Sequence, residues 1–292
     1  MIEGDQEAGV PQSAAYADGA LGYCSISGLQ VSELPDSEYL ALADTIETEV
    51  IPRLLRAHRS EPRLSREKPV RTGLERNAIA EFASLIIHQD ADVIRRFVGA
   101  LLAGGATLEA IYLDLLAPTA GYLGDLWWAD TCTFTDVTLG LFKLQGLLRE
   151  YGRGSRKECL QKGDDALLLA AVPGSQHIFG FLMVEEFFRR AGWNVSSIPA
   201  ATADEIVEAV RCEWFAAIGL SMSSNAYAED LPALITTLRR VSSNRAIVVL
   251  VGGGFFNDNP EQVALVGADA TAINARDAVV QAKRLLTAVA RN

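Results

Sequence analysis

The chain has 292 residues, 49% hydrophobic and 22% charged, with a formal net charge of -11. That length suggests about two domains, with ample material for a real core. The acidic balance argues against wholesale wrapping of nucleic acid, which needs a basic face to release counterions, so direct DNA binding is not expected. No apolar run reaches the length of a bilayer span, and the start, Met-Ile-Glu-Gly-Asp-Gln-Glu, has neither the basic nor the apolar region of an export signal. A cytoplasmic protein with no membrane partner is the expectation. Cys24, Cys132, Cys159 and Cys212 form no Cys-x-x-Cys pair, which indicates neither a disulfide framework nor a zinc site.

Residues 1–34 are rich in Gly, Ala, Ser and acidic side chains without sustained periodicity, and read as a flexible leader. Over residues 36–58, Leu40, Leu42, Ile46, Val50, Ile51, Leu54 and Leu55 recur at helical spacing, predicting a helix bent near Pro52. The charged, Pro-containing residues 59–68 read as a linker. A second helix is predicted from Thr72 through Ile79, Phe82, Leu85 and Ile86, and a third through Val93, Phe97, Leu101 and Leu102, stopped by Gly104 and Gly105. Thr107 caps a fourth, which passes Pro118 to reach Leu126, and a last helix spans 135–151. Residues 35–152 are thus expected to form a helical bundle with short, antiparallel connections.

The basic stretch 152–157 leads into a second domain, 153–292, where the pattern changes to alternating strands and helices. Strands are predicted over 166–172, 193–198, 215–221, 246–251 and 270–273, with helices over 181–190, 203–212, 231–241, 260–266 and 277–289. Regular alternation with short loops predicts an α/β domain, a flavodoxin-like five-stranded parallel sheet covered on both faces. In that fold ligands bind beyond the carboxyl ends of the strands, around the point where strand order reverses.

Unusual residues fall at those ends. The loop after the first strand reads Pro173-Gly174-Ser175-Gln176-His177-Ile178-Phe179-Gly180, placing an imidazole at the strand's edge and a side-chain-free position at the start of the helix. The third strand ends Ser221-Met222-Ser223-Ser224-Asn225 and the fourth ends Gly252-Gly253-Gly254. The glycine run also suits a tight turn or an anion-binding nest, but it lacks the Lys-Ser/Thr ending of a P-loop and comes too late for a dinucleotide fingerprint. With His58 and His88 the only other histidines, a metal held by protein ligands alone is not expected; one carried in a macrocycle needs a single axial ligand.

His177-x-x-Gly180 resembles the Asp-x-His-x-x-Gly motif of cobalamin-binding domains in methionine synthase, corrinoid mutases and B12-dependent light sensors, with Ser175 in place of the Asp. In the family's pattern the acid holds the histidine's second nitrogen and raises its basicity, so Ser175 implies a weaker or more exchangeable cobalt bond. The resemblance makes His177 the axial cobalt ligand and continues through Ser221, which matches the serine of a Ser-x-Leu motif with Ser223 in the Leu position, and through Gly252 and Gly253, which match a Gly-Gly pair. These loops would bound the slot for the cofactor's nucleotide tail. Upstream, Gly124 to Trp127 resembles the Gly-x-x-Trp segment of the helical cap, making Trp127 the residue over the upper face. The Glu-His pair that follows ten and eleven residues later in the repressors is here Val137 and Thr138.

Together with Trp-Trp-Ala-Asp at 127–130 and Phe-x-Asp-Val-Thr-x-Gly-Leu at 134–141, this combination resembles the AerR/PpaA cobalamin-binding antirepressors over residues 75–290. The resemblance implies a light-responsive, non-enzymatic regulator of photosynthesis genes acting through a DNA-binding repressor protein. It leaves open whether the bound form is adenosyl-, methyl- or hydroxocobalamin. Haem remains the alternative cofactor, because the related domain of the AppA sensor protein binds it, which would make the chain a redox sensor. Two further readings are a corrinoid methyl carrier of a methyltransferase system and an apo interaction module with a degenerate slot.

Overall fold

The computed structural model describes residues 73–152, 165–173, 175, 178–223 and 228–290. The predicted leader over 1–34, the helix over 36–58, the linkers over 59–68 and 153–157, and His177 lie outside the described residues. All that follows concerns the unit Pro69–Asn292.

It opens with α1 (Gly73–His88) and α2 (Ala91–Ala103). Gly105 then turns the chain at φ 94°, a conformation that glycine adopts without strain. Thr107 Oγ1 accepts from the Ala110 N–H at 3.1 Å, capping a continuous helical run. That run is not uniform: Leu108–Ala110 is α-helical, Ile111–Leu116 is a π-helix, and Ala117–Trp128 returns to α-helix as α3. The Ala117 N–H reaches back five residues to Tyr112 O. Pro118 has no N–H to give the preceding turn, and the wider turn before it is where the sequence read an ordinary helix.

The last helix of this region is α4 (Phe134–Gly152). Its start is fixed by Thr133 and Asp136: Thr133 N–H and Oγ1–H donate to Asp136 Oδ2 at 2.9 and 2.7 Å, and Asp136 N–H donates to Thr133 Oγ1 at 3.1 Å. These bonds hold the Asp136 carboxyl below its ordinary range. Thr133→Ala is therefore expected to cost about 1 kcal/mol, read as a lower denaturant midpoint at neutral pH. Because Asp136 is depressed in the folded state, its share of the stabilisation is present above the unfolded carboxyl's pKa and lost as pH falls through the folded value, so wild type and variant should converge on acidification.

The bundle core is built from Phe82, Ile86, Ile94, Val98, Tyr112, Leu116, Leu123 and Leu144, all nearly inaccessible. Gly140 permits close approach of helices here, since a Cβ would lie 3.0 Å from Leu123 Cδ1 and 3.1 Å from Ile86 Cγ2. Lys143 Nζ donates to Ile86 O at 2.7 Å and Gln89 O at 3.0 Å, closing the carboxyl end of α1.

From residue 166 the chain alternates: β1 (Ala166–Ala171), α5 (Phe179–Arg190), β2 (Asn194–Ile198), α6 (Ala203–Cys212), β3 (Ala217–Ser221), α7 (Leu231–Val241), β4 (Val248–Gly252), α8 (Gly254–Asp258), α9 (Gln262–Leu265), β5 (Ala270–Ala272) and α10 (Ala275–Val289). The five strands are parallel in the order β2-β1-β3-β4-β5, so the flavodoxin-like arrangement expected from the alternation is the one observed. β1 is buried on both faces: Leu167 and Leu169 meet Phe181, Phe188 and Trp193 under α5 and α10, while Leu168 and Ala170 meet Ile206, Ile235 and Leu238 under α6 and α7. Each such leucine contributes roughly 1.5–3 kcal/mol by leaving water.

The helical region packs on the α5–α10 side. Met183 and Phe187 of α5 and Ala275 of α10 belong to the bundle's own core, with Phe179 and Leu182 against it, and Tyr112 and Phe187 rings lie 6.1 Å apart. Burial, then the nearby Glu186 charge, push the Tyr112 hydroxyl well above its ordinary pKa, so it stays protonated and donates to Leu148 O at 3.4 Å. Arg276 of α10 pairs with Glu109, joining the two layers again. Among the described residues no helix is long and apolar enough to cross a membrane.

Candidate functional site

Parallel pairing sets the ends of β1, β3 and β4 at one level, and the ladder continues past the strands. Val172 N–H donates to Ser221 O at 2.9 Å, and Met222 N–H donates to Gly252 O at 2.8 Å. The loop after β1 turns at once, Ser175 N–H donating to Val172 O at 3.0 Å. That turn brings the Ser175 hydroxyl 3.2 Å from the Ser223 hydroxyl, linking the first loop to the third. Two residues chosen separately from the sequence therefore form one hydrogen-bonded pair. A serine at 175 keeps this bond neutral, where an aspartate would place a charge.

The third and fourth loops meet backbone to backbone. Gly253 sits at φ 100°, ψ 178°, a region essentially reserved for glycine, and a Cβ there would lie 2.2 Å from Met222 O. Its conformation starts α8, a helix the sequence reading left inside the glycine loop. Met222, buried completely, anchors the third loop from below. Gly254 follows with its missing side chain 3.5 Å from Ser223 O.

Gly180 and Gly252 differ from Gly253. A Cβ on either would meet no atom within 4 Å, and Gly180 is exposed in the first turn of α5. The edge thus combines open space at Gly180 and Gly252, a fixed floor at Gly253, and hydroxyls at Ser175, Ser221 and Ser223. Among the described residues this edge presents small side chains and neutral hydrogen-bonding groups, which fit a bulky ligand with a polar tail.

Trp127 belongs to a different cluster. It is half-buried in the last turn of α3, its ring 6.2 Å from that of Trp128 and 6.2 Å from Phe134 in an edge-on arrangement. Asp130, at φ 53°, and Thr131, whose N–H donates to Leu126 O at 2.9 Å, fold the chain between the two helices. Phe134 opens the signature at 134–141, but its contact with Trp127 was not expected from the sequence; the seven-residue distance across a turn carries no helical signal. The structure brings together Ser175, Ser221, Ser223, Gly252 and Gly253, places Gly180 on the adjoining helix, and fixes Trp127 through Trp128 and Phe134.

Residues 166–283 match the family model of the B12-binding domain. The chain is 26% identical over 168 residues to an uncharacterized 20.5 kDa protein from the bchF-crtJ intergenic region of Rhodobacter capsulatus, covering 57% of this chain and 87% of that protein. The fold is similar to that of the monomethylamine corrinoid protein of Methanosarcina barkeri, with a TM-score of 0.61 and 16% identity over 72% of this chain and 99% of that one. A cobalamin-binding protein from Desulfitobacterium hafniense is 19% identical, with a TM-score of 0.40, covering 71% of this chain and 98% of that one. The sheet portion of this chain, with its open glycine-lined edge, is a B12-binding domain, and its cofactor is cobalamin.

Proposed function

We propose that the chain is a cobalamin-binding regulator that responds to light and acts through a DNA-binding repressor protein, without catalysing a reaction itself. The observation that carries this reading is the Ser175–Ser223 hydroxyl pair at the point where corrinoid carriers hold an acid. A carboxylate hydrogen-bonded to the ligating imidazole raises its basicity, which suits a cofactor cycled between oxidation states; a hydroxyl does so far less. Supporting it is the 26% identical relative, whose name places it between bchF and crtJ.

In this reading His177 holds cobalt through its imidazole, and Ser221, Gly180, Gly252 and Gly253 receive the nucleotide tail. Cobalamin bound there supplies a light-labile bond between cobalt and its upper ligand. Trp127 would lie against the bound cofactor and, through its edge contact with Phe134, would tie it to the start of α4. Trp127 would then report the state of the bound cofactor to the helical region, which would shift to the extent that its contacts differ between two ligand states.

The test is titration with hydroxocobalamin of wild type beside His177→Ala. Wild type should change the visible spectrum and carry the pigment through gel filtration, whereas the variant should bind roughly 10–100-fold more weakly, as when a metal site loses a key support. Equal spectra and retention would remove His177 from the site. Capture of a purified photosynthesis-gene repressor in darkness and after illumination then separates a regulator, whose capture changes with light, from a methyl carrier, whose capture does not.

A further inference from the structure

We propose that Glu186 and Tyr112 are positioning residues that fix the register of the helical region on the sheet domain, and with it the place of Trp127. Most of that contact carries no direction. Met183 and Phe187 of α5 and Ala275 of α10 meet the bundle core, and burial of apolar surface is worth much the same in one register as in the next. Buried polar groups lack this freedom: sliding the interface strips them of the partners that offset their desolvation, so they select one arrangement.

A carboxylate and a phenol stand in this contact. Glu186, 8% exposed, reaches the last residue of α4, where a Cβ on the buried Gly152 would lie 2.7 Å from its Cδ and 3.0 Å from its Oε1. The missing side chain at 152 is what admits the carboxylate. Tyr112, inaccessible to water, donates its hydroxyl to Leu148 O one turn before Gly152, and its ring packs on that of Phe187, the neighbour of Glu186. The Glu186 charge is near enough to act on that hydroxyl. One patch thus ties together the π-helical turn, the end of α4, and α5, whose first turn carries Gly180 at the cobalamin edge. Trp127 lies roughly 20 Å along the helical run that holds Tyr112, so a tilt of about 10° at the phenol carries the indole about 4 Å. What Trp127 does there rests on the cobalamin reading above; the register does not.

The test compares the full chain with its Tyr112→Phe, Glu186→Leu double variant. Apolar groups of similar volume replace buried polar ones, so the thermal midpoint should stay near or above that of wild type. Spin labels at Ala100→Cys on α2 and Thr236→Cys on α7, both exposed positions, in a background whose four native cysteines are serine, read the register without any cofactor. Dipolar spectroscopy should give a narrow distance distribution for the parent and a broadened or shifted one for the double variant. Gly152→Ala, which keeps both polar groups but occupies the carboxylate's place, should broaden it too; Gly146→Ala, with no atom within 4 Å of its Cβ, should not. Hydroxocobalamin should bind the double variant roughly 2–30-fold more weakly, the span by which residues away from a ligand modulate coupling. An unchanged distribution in the double variant, equal broadening in the two glycine variants, or a midpoint that falls in step with the broadening would each overturn the proposal. Broadening with unaltered hydroxocobalamin affinity would uphold the register role and count against placing Trp127 on the cofactor.

Discussion

Gly253→Ala is expected to lower the stability of the sheet domain by about 3 kcal/mol or more, beyond what an exposed loop glycine would give. Two effects add. The backbone at φ 100°, ψ 178° costs an alanine on the order of 1–3 kcal/mol, and its Cβ would lie 2.2 Å from Met222 O, backbone that cannot rotate away. Relief requires parting the third and fourth loops, which breaks the Met222 N–H to Gly252 O bond of 2.8 Å. At roughly 2–4 °C per kcal/mol for a unit of this size, thermal unfolding should show the loss clearly. Gly252→Val provides the contrast: no atom lies within 4 Å of its Cβ, so the fold should tolerate it while cobalamin binding falls. If both variants unfolded alike and bound alike, the division between a structural glycine and a ligand-facing one would be wrong.

Ser175→Asp should act in the opposite direction, tightening retention of cobalamin roughly 10–100-fold, the range by which outer-sphere partners of metal-bound histidines act. The substitution restores the carboxylate that the resemblance leads one to expect two residues before His177. The neighbouring Ser223 hydroxyl, 3.2 Å from the Ser175 oxygen, is placed to donate to that carboxylate and steady it. Titration with hydroxocobalamin, alone and in competition with free imidazole, measures the change: the variant should resist displacement at imidazole concentrations that strip wild type. Unchanged competition would mean that position 175 does not support the axial ligand.

The sheet was legible because its determinants are local and repetitive. Runs such as Leu167 to Ala171 and Val248 to Val251 are too short and too apolar for surface helices, and the intervening amphipathic segments are long enough for right-handed crossovers. The ends of β1, β3 and β4 could then be named as the candidate binding edge from topology alone. The Ser175–Ser223 pair was not legible, since a bond across 48 residues depends on how two loops turn. Nor was α8, whose five residues owe their helix to the geometry imposed at Gly253 and to the burial of Phe256 beneath them. Trp193, read as the first strand residue, instead fills the space under α5 with its ring 5.0 Å from Phe188 and perpendicular to it. In the bundle, apolar spacing located the helices, while the π-helical turn escaped because one residue more per turn leaves hydrophobic periodicity nearly intact over so short a span.

That turn has a consequence for how this chain tolerates insertions and deletions. Ile111–Leu116 acts as one surplus residue wound into an otherwise regular rod. Losing any single amino acid there would let the rod tighten into a regular α-helix and leave everything downstream at its present angle, whereas a deletion in the α-helical part of the rod would swing it by about 100° around its axis. Only the second kind of loss would carry both indoles off Phe134, so the bulge is the place where the rod can shed a residue while the tryptophans keep their surroundings.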